Sequence, residues 1–293
     1  MVEVLPNPSV SAIIIVYNGE RYLAEAIESV IAQSFTDWEL IIADDGSRDR
    51  CIEIAQDYAG RYPDRIRAIS HSDRANHGMS ATRNLGISAA RAPLIGFLDC
   101  DDIWHPEKLA EQVAILKQQP DAEMVYGRTL IWHSWQSGEP GDDYYYDLGV
   151  PPDCLVQPPK LLAVLLENKC QTPTTCNALL RAGLIRRIGG FDDRFRGMFE
   201  DQVFFAKALL TASTYVSSRS WAQYRQHGES FSAQSAARGQ DNRMRLIFLG
   251  WLASYVLRTM PTNLAILAQI ARLAAGEIWI MFRPRRPRWM RVN

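Results

Sequence analysis

Four consecutive residues, Asp99-Cys100-Asp101-Asp102, follow directly on the apolar stretch Leu94 to Leu98. Carboxylates crowded this closely repel one another, so a divalent cation is their natural partner. Mg²⁺ and Mn²⁺ prefer oxygen ligands and are commonly held by one or two carboxylates together with substrate phosphates. A solvated acidic loop ahead of a helix opened by Pro106 accounts for the same string, with Asp102 placed to favour the helix dipole. His105 reads as a surface residue at that helix entry.

Four further strings carry chemistry-bearing side chains. Asp44-Asp45-Gly46-Ser47 ends a second apolar run, where an aspartate can accept hydrogen bonds from a nucleobase or ribose, or simply close an Asx turn. In Asn76 to Asn84, Gly78 suits a close turn, the helix start that follows can face an anion, and Arg83 is a candidate phosphate contact or merely an exposed arginine. Glu200-Asp201 opens a helix after a glycine-containing loop; either carboxylate is a candidate general base, or both serve the helix dipole. In Tyr224 to Ser230, Arg225 and His227 are candidate diphosphate neighbours or ordinary polar residues at a strand end.

These strings need elements to hold them. Val10 to Val16 (VSAIIIV) is a short β-branched run of the kind buried in parallel sheets. Leu23, Ala26, Ile27, Val30 and Ile31 recur at the three-and-four spacing of one helix face. Further strands are expected over Trp38 to Ala43, Ile66 to Ser70, Leu94 to Leu98 and Met124 to Thr129. Helices are expected over Asp49 to Tyr62, Met79 to Ala90 and onward from Pro106. Strands alternating with helices predict a mainly parallel sheet with helices on both faces. Right-handed crossovers put the loops after the strands on one edge, where open α/β sheets bind ligands. The acidic strings after the second and fourth strands should therefore meet in one crevice.

Ser134 to Pro159 is rich in Pro, Gly, Asp and Tyr and reads as a long, functional loop. Beyond Ser230, helical segments are expected over Asp241 to Thr259 and Thr262 to Phe282, separated by Pro261. The second is apolar but interrupted by Gln269, Arg272 and Glu277, and Arg283, Arg285, Arg286, Arg288 and Arg291 follow it. Such a helix can lie on an anionic membrane surface, or pack on the domain and leave its basic end in solvent.

The bulk numbers narrow the classes. Of 293 residues, 47% are hydrophobic and 22% charged, as in an ordinary globular protein. A formal net charge of −1 provides no field for nucleic acid, so no nucleic-acid partner is expected. Five cysteines without a Cys-x-x-Cys pair argue against a disulfide framework or a zinc site. Met1 to Pro8 lack the features of a signal peptide, and no uninterrupted apolar run of about 18 residues predicts a membrane span. A cytoplasmic location is expected, either with peripheral contact at the inner face of the membrane through the basic tail or with that tail packed on the domain.

In this order, Val16-Tyr17-Asn18, Asp44 to Ser47, Asn76 to Asn84, Asp99 to Asp102, Glu200-Asp201 and Tyr224 to Ser230 resemble the family 2 glycosyltransferases with a GT-A fold. The resemblance covers residues 9–232 and leaves a C-terminal helical extension over 233–293. It implies a Rossmann-like domain that moves a sugar from a nucleoside-diphosphate sugar, most often a UDP-sugar, to a carbohydrate or glycolipid acceptor, usually with inversion. It further implies that Asp45 and Asp44 bind the uracil or ribose side, and that Tyr17 and Asn18 line the nucleotide pocket. Asp99 and Asp101 then form an Asp-x-Asp motif for Mg²⁺ or Mn²⁺, Arg83 and His227 neighbour the diphosphate, and Asp201, with Glu200 as rival, is the base. A nucleotidyltransferase is disfavoured because Tyr17-Asn18-Gly19-Glu20-Arg21 is not a Gly-rich phosphate loop. A non-catalytic sugar-binding module would not need Asp99, Asp101 and Asp201 together.

Overall fold

Every residue from Val10 to Val16 is buried, as a strand flanked on both sides and covered on both faces must be. In the computed structural model, which describes residues 7–136, 142–237 and 241–282, this run is β1 (Val10–Val16). It is followed by α1 (Glu20–Ile31), β2 (Trp38–Asp44), α2 (Cys51–Arg61), β3 (Ile66–Ser70), α3 (Met79–Ala89) and β4 (Leu94–Asp99). Next come β5 (Ile103–Trp104), α4 (Lys108–Gln118), β6 (Met124–Trp132), β7 (Cys154–Val156), α5 (Lys160–Glu167) and β8 (Leu179–Arg181). The sequence continues through α6 (Ala182–Ile188), α7 (Glu200–Thr211) and β9 (Thr214–Arg225), then α8 (Phe231–Ala237), α9 (Asp241–Thr259) and α10 (Leu264–Phe282).

Among the described residues the strands form one sheet in the order β3-β2-β1-β4-β8-β6-β9-β5, with β7 pairing β9, and helices cover both sides. The parallel alternation expected from the sequence holds for β3, β2, β1 and β4. Beyond β4 the sheet is mixed: β8 runs antiparallel to β4 and β6, while β6 and β9 are parallel to each other. β6 falls where the sequence predicts a strand, but the three residues of β8 are too few to show a period, so its antiparallel insertion between β4 and β6 is not predictable.

Register decides where the acidic strings lie. Val16 pairs with Asp44 and Ile15 with Asp99, so the ends of β2 and β4 flank the end of β1 at one carboxyl edge. The long loop expected over Ser134 to Pro159 is interrupted by β7 and by the bridge of Tyr144 to Ile131; residues 137–141 lie outside the described set.

Helix α4 buries an unusual charge. Lys108 is fully buried, its Nζ 2.6 Å from Gln112 Oε1 and 4.4 Å from the centre of the Trp104 ring. Burial pushes its pKa down from 10.5 to about 7. The unfolded chain therefore binds this proton more readily than the folded one, and stability rises with pH across that window. Urea unfolding at pH 7 and pH 9 should show a gain of about 2 kcal/mol from this residue, and Lys108→Met should remove that increment.

The chain divides into two compact units, Met1–Ser230 and Phe231–Asn293. In the second, α9 and α10 pair, with Arg245 Nε 3.1 Å from Glu277. Residues Leu264–Met281 have a mean hydropathy of 1.5 with 11% of that window buried, so α10 is long and apolar enough to cross a membrane by length and composition. Arg272 and Glu277 interrupt the run, which is why the sequence predicts no span, yet two charges in eighteen residues do not lower its hydropathy far. Arg283, Arg285, Arg286, Arg288 and Arg291 lie outside the described residues, as do residues 1–6.

Candidate active site

The turn after β2 is built by its own aspartates. Asp44 accepts the backbone N–H groups of Gly46, at 3.0 Å, and Ser47, at 3.1 Å, and so closes an Asx-type turn. Gly46 sits at φ 76°, and a Cβ there would lie 2.6 Å from the Arg74 carbonyl oxygen. Only glycine lets the two backbones approach this closely. Asp45, nearly fully buried, accepts from Asn76 Nδ2 at 2.9 Å, the His77 N–H at 2.7 Å and the Gly78 N–H at 2.9 Å. Its carboxylate thus fastens the segment ahead of α3. Asp45→Ala leaves three donors without an acceptor, and urea unfolding should show a loss of about 3 kcal/mol.

Beside this turn, Asn18 adopts a left-handed φ of 52°. Its N–H donates to Ser47 Oγ at 3.0 Å, and its Oδ1 accepts the Arg48 N–H at 2.8 Å. Asn tolerates that conformation better than most residues. Tyr17, immediately before it, is half exposed at the end of β1 and offers an aromatic face at the sheet edge.

Arg83 does not project toward an open phosphate site, as the sequence reading allowed. It is buried, with Nη2 2.7 Å from Asp99 and Nη1 2.9 Å from Glu200. Burial works against its charge, but Asp99 and Glu200 together outweigh burial and raise its pKa. A guanidinium fork holding one carboxylate from β4 and one from α7 is a positioning element. Asp99 is further fixed by Thr175 Oγ1, which donates to its Oδ2 at 2.9 Å.

Asp101 receives His227: Nε2 lies 3.0 Å from its Oδ2. His227 in turn packs at 4.7 Å from the Tyr22 ring. Arg225, also a candidate phosphate contact from the sequence, is buried and turned inward. Its Nη2 meets Glu25 at 2.6 Å, its Nε donates to the Asp101 carbonyl at 2.8 Å, and the Tyr22, Trp132 and Trp135 rings surround it. Asp102 faces the interior and accepts the Arg225 N–H at 3.0 Å. Burial, with Asp101 and Asp99 close by, pushes its carboxyl well above the usual range. Arg225 and Asp102 therefore set the shape of the loop that presents Asp99 and Asp101.

The Glu200-Asp201 pair splits. Phe199, at a left-handed φ of 69°, precedes α7, and successive residues of a helix point about 100° apart. Glu200 is buried on Arg83; burial and then Asp201 push its pKa up to about 7, against the pull of Arg83. Asp201 is partly exposed, and its Oδ1 accepts the Gln202 N–H at 2.7 Å. Burial raises its pKa, with Arg83 opposing. The loop ahead of α7 is tied to α3, since Asn84 bonds Phe191 at both its N–H and its carbonyl, and Ser80 Oγ donates to the Phe195 carbonyl.

Among the described residues no three His, Cys, Asp or Glu side chains converge on one metal position. Asp99 and Asp101 supply carboxylate oxygens at the sheet edge, too few to complete an octahedral shell. That donor set fits a hard divalent cation shared with ligand phosphates rather than a cation held by protein alone.

Thr175, Glu25 and Trp135 were not singled out from the sequence. Each reaches its partner across a long sequence separation, so no local spacing could have found it.

Known proteins resemble this chain in sequence and in architecture. The model of a family described as "Glycosyl transferase family 2" matches residues 11–189. A putative glycosyltransferase of Bacillus subtilis, EpsE, is 42% identical over 126 residues, covering 43% of this chain and 45% of its own length. An uncharacterized glycosyltransferase of Nostoc sp. is 30% identical over 241 residues, 79% of this chain and 70% of its own. The chain thus spans less than half of one of these relatives and about two thirds of the other. Among solved structures, S. aureus TarS 1-349 in complex with UDP-GlcNAc superposes with a TM-score of 0.69 at 18% identity, covering 97% of this chain and 76% of that one. The mannosyltransferase PcManGT of Pyrobaculum calidifontis, in complex with GDP-Man and Mn²⁺, gives 0.58 at 16% identity, covering 94% and 76%. These two likenesses establish the architecture alone. With the family model spanning most of the first unit and the sheet arranged as described, the chain belongs to the family 2 glycosyltransferases and carries a GT-A fold.

Proposed function

We propose that this glycosyltransferase moves a sugar from a UDP-sugar to the hydroxyl of a carbohydrate or glycolipid acceptor, with inversion at the anomeric carbon. The observation that carries this reading is the convergence at one sheet edge of Asp99 and Asp101 with the Arg83 fork, whose second carboxylate neighbours Asp201. Tyr17 and the turn held by Asp44 and Asp45 line the nucleotide side, and Asn18 fixes that turn. Asp99 and Asp101 would hold Mg²⁺ or Mn²⁺, which supplies Lewis-acid stabilisation of the departing diphosphate when bound. His227, bonded to Asp101, stands beside the diphosphate position. Asp201 accepts the acceptor hydroxyl proton as its oxygen forms the new bond to the anomeric carbon and the bond to the diphosphate breaks. The bound UDP-GlcNAc and UDP of the TarS structures and the Mn²⁺ of PcManGT support the ligand classes.

A thermal-shift panel of nucleotide sugars with and without Mn²⁺ tests the donor. A UDP-sugar should raise Tm more with Mn²⁺ than without; a panel in which no UDP-sugar shifts Tm counts against the reading.

The same reading places the enzyme at the cytoplasmic face of a membrane, held by α10 and the arginines after it. Deleting residues 283–293 should lower co-sedimentation with anionic liposomes, and high salt should do likewise. Equal, negligible sedimentation of both forms would remove this part.

A further inference from the structure

Three consecutive tyrosines, Tyr144, Tyr145 and Tyr146, stand 43%, 45% and 43% exposed. Aromatic side chains usually find cover, and three together in water need an explanation. Their backbone is rigidly held. The Tyr144 carbonyl accepts the Ile131 N–H at 3.0 Å, and Arg128 Nη1 lies 3.3 Å from the Tyr146 carbonyl. Asp143 accepts the His133 and Ser134 N–H groups at 2.7 and 2.9 Å. The rings are ordered as well: Tyr144 and Tyr146 meet edge to face at 5.2 Å, with their hydroxyls 3.1 Å apart. His133 lies nearly parallel to Tyr144 at 6.3 Å.

The platform adjoins the candidate active site. Tyr144 bridges Ile131, which pairs with Tyr224, and His227 follows three residues later with its bond to Asp101. Two strand spacings and then three residues along the chain put the Tyr144 backbone about 14 Å from that of His227, roughly the reach of two or three sugar rings. From the other end of the same loop, Trp135 Nε1 donates to the Gln226 carbonyl at 2.8 Å and fixes the loop to the site.

We propose that Tyr144 and Tyr146, with His133, form a stacking subsite for an uncharged sugar ring of the acceptor. The proposal rests on the glycosyltransfer reading above and adds a class of acceptor to it. A pyranose presents a flat face of C–H groups to an aromatic ring while its rim hydroxyls stay hydrogen-bonded, and ordered tyrosines lose little entropy in holding it. Asp142, Asp143 and Asp147 adjoin the tyrosines in sequence and outnumber the Arg128 guanidinium held at the Tyr146 carbonyl, which disfavours a phosphate-linked or otherwise anionic acceptor.

Saturation-transfer NMR of the full chain with cellohexaose, chitohexaose and maltohexaose tests this. At least one of them should bind. The Tyr144→Ala/Tyr146→Ala double variant should weaken that binding about tenfold or more, and the Tyr144→Phe/Tyr146→Phe variant should retain it. Both variants change exposed side chains, and near-UV circular dichroism verifies their fold. If none of the three binds the wild-type chain, or the double alanine variant binds as tightly as wild type, the subsite is refuted. If an oligosaccharide binds through the tyrosines but the wild-type chain releases no nucleoside diphosphate from any nucleotide sugar, the subsite stands and the transferase reading falls.

Discussion

Asp201→Asn should lower kcat by about 10²–10⁴-fold while leaving nucleotide-sugar affinity nearly intact, the loss expected when a general base is removed. Asparagine keeps the side-chain shape and can still accept the Gln202 N–H that Asp201 accepts at 2.7 Å. What it loses is the ability to take a proton. Burial holds the Asp201 carboxyl above the ordinary aspartate range, so the acid limb of the rate profile should lie higher than for an exposed aspartate. Glu200 is the rival, and its geometry gives it a different role. It is buried against Arg83, so Glu200→Gln should cost stability through the weakened ion pair and reduce kcat less. Turnover of both variants with a working donor and acceptor separates the roles. An Asp201→Asn variant that transfers sugar at the parental rate, or a larger kcat loss for Glu200→Gln, would exchange or remove the assignments.

Asp101→Ala should abolish the metal-dependent part of UDP affinity, a loss on the order of 10²-fold or more. Among the described residues the protein alone offers too few oxygens for a complete shell, so metal and diphosphate should bind together, each raising the affinity for the other. Calorimetric titration of UDP, with and without Mn²⁺, reads this coupling directly. Asp102→Asn serves as the contrast, because Asp102 faces inward and an amide oxygen can still accept the Arg225 N–H. Coupling that survives in Asp101→Ala would mean that the metal, if one binds, is held elsewhere.

The parts of the molecule that sequence reveals are those with short-range signals. β1, β2 and β4 are visible as apolar runs, the last two ended by acidic residues at the ligand edge, and α9 and α10 as helical segments around Pro261. Asp99, Asp101 and Asp201 stand out because carboxylates at strand and helix ends are conspicuous. The orientation of Arg83 and Arg225 is not visible, since each meets partners more than a hundred residues away: Glu200 for one, and for the other both Asp101 and Glu25. A string of residues cannot show whether an arginine reaches into solvent or turns back to hold a carboxylate. In the mixed half of the sheet β6 is visible as a strand, but β7 and β8 are hidden for a related reason: three-residue strands take their direction from neighbours rather than from their own pattern.

The central claim is that the carboxylate edge cleaves a nucleotide sugar, and ³¹P NMR of the purified protein with Mn²⁺ and a panel of nucleotide sugars tests it most directly. The account predicts that UDP appears from at least one UDP-sugar, that its release stops when Mn²⁺ is chelated, and that Asp101→Ala does not release it. Absence of nucleoside diphosphate from every donor, or release that is unaffected by chelation and by Asp101→Ala, would contradict it.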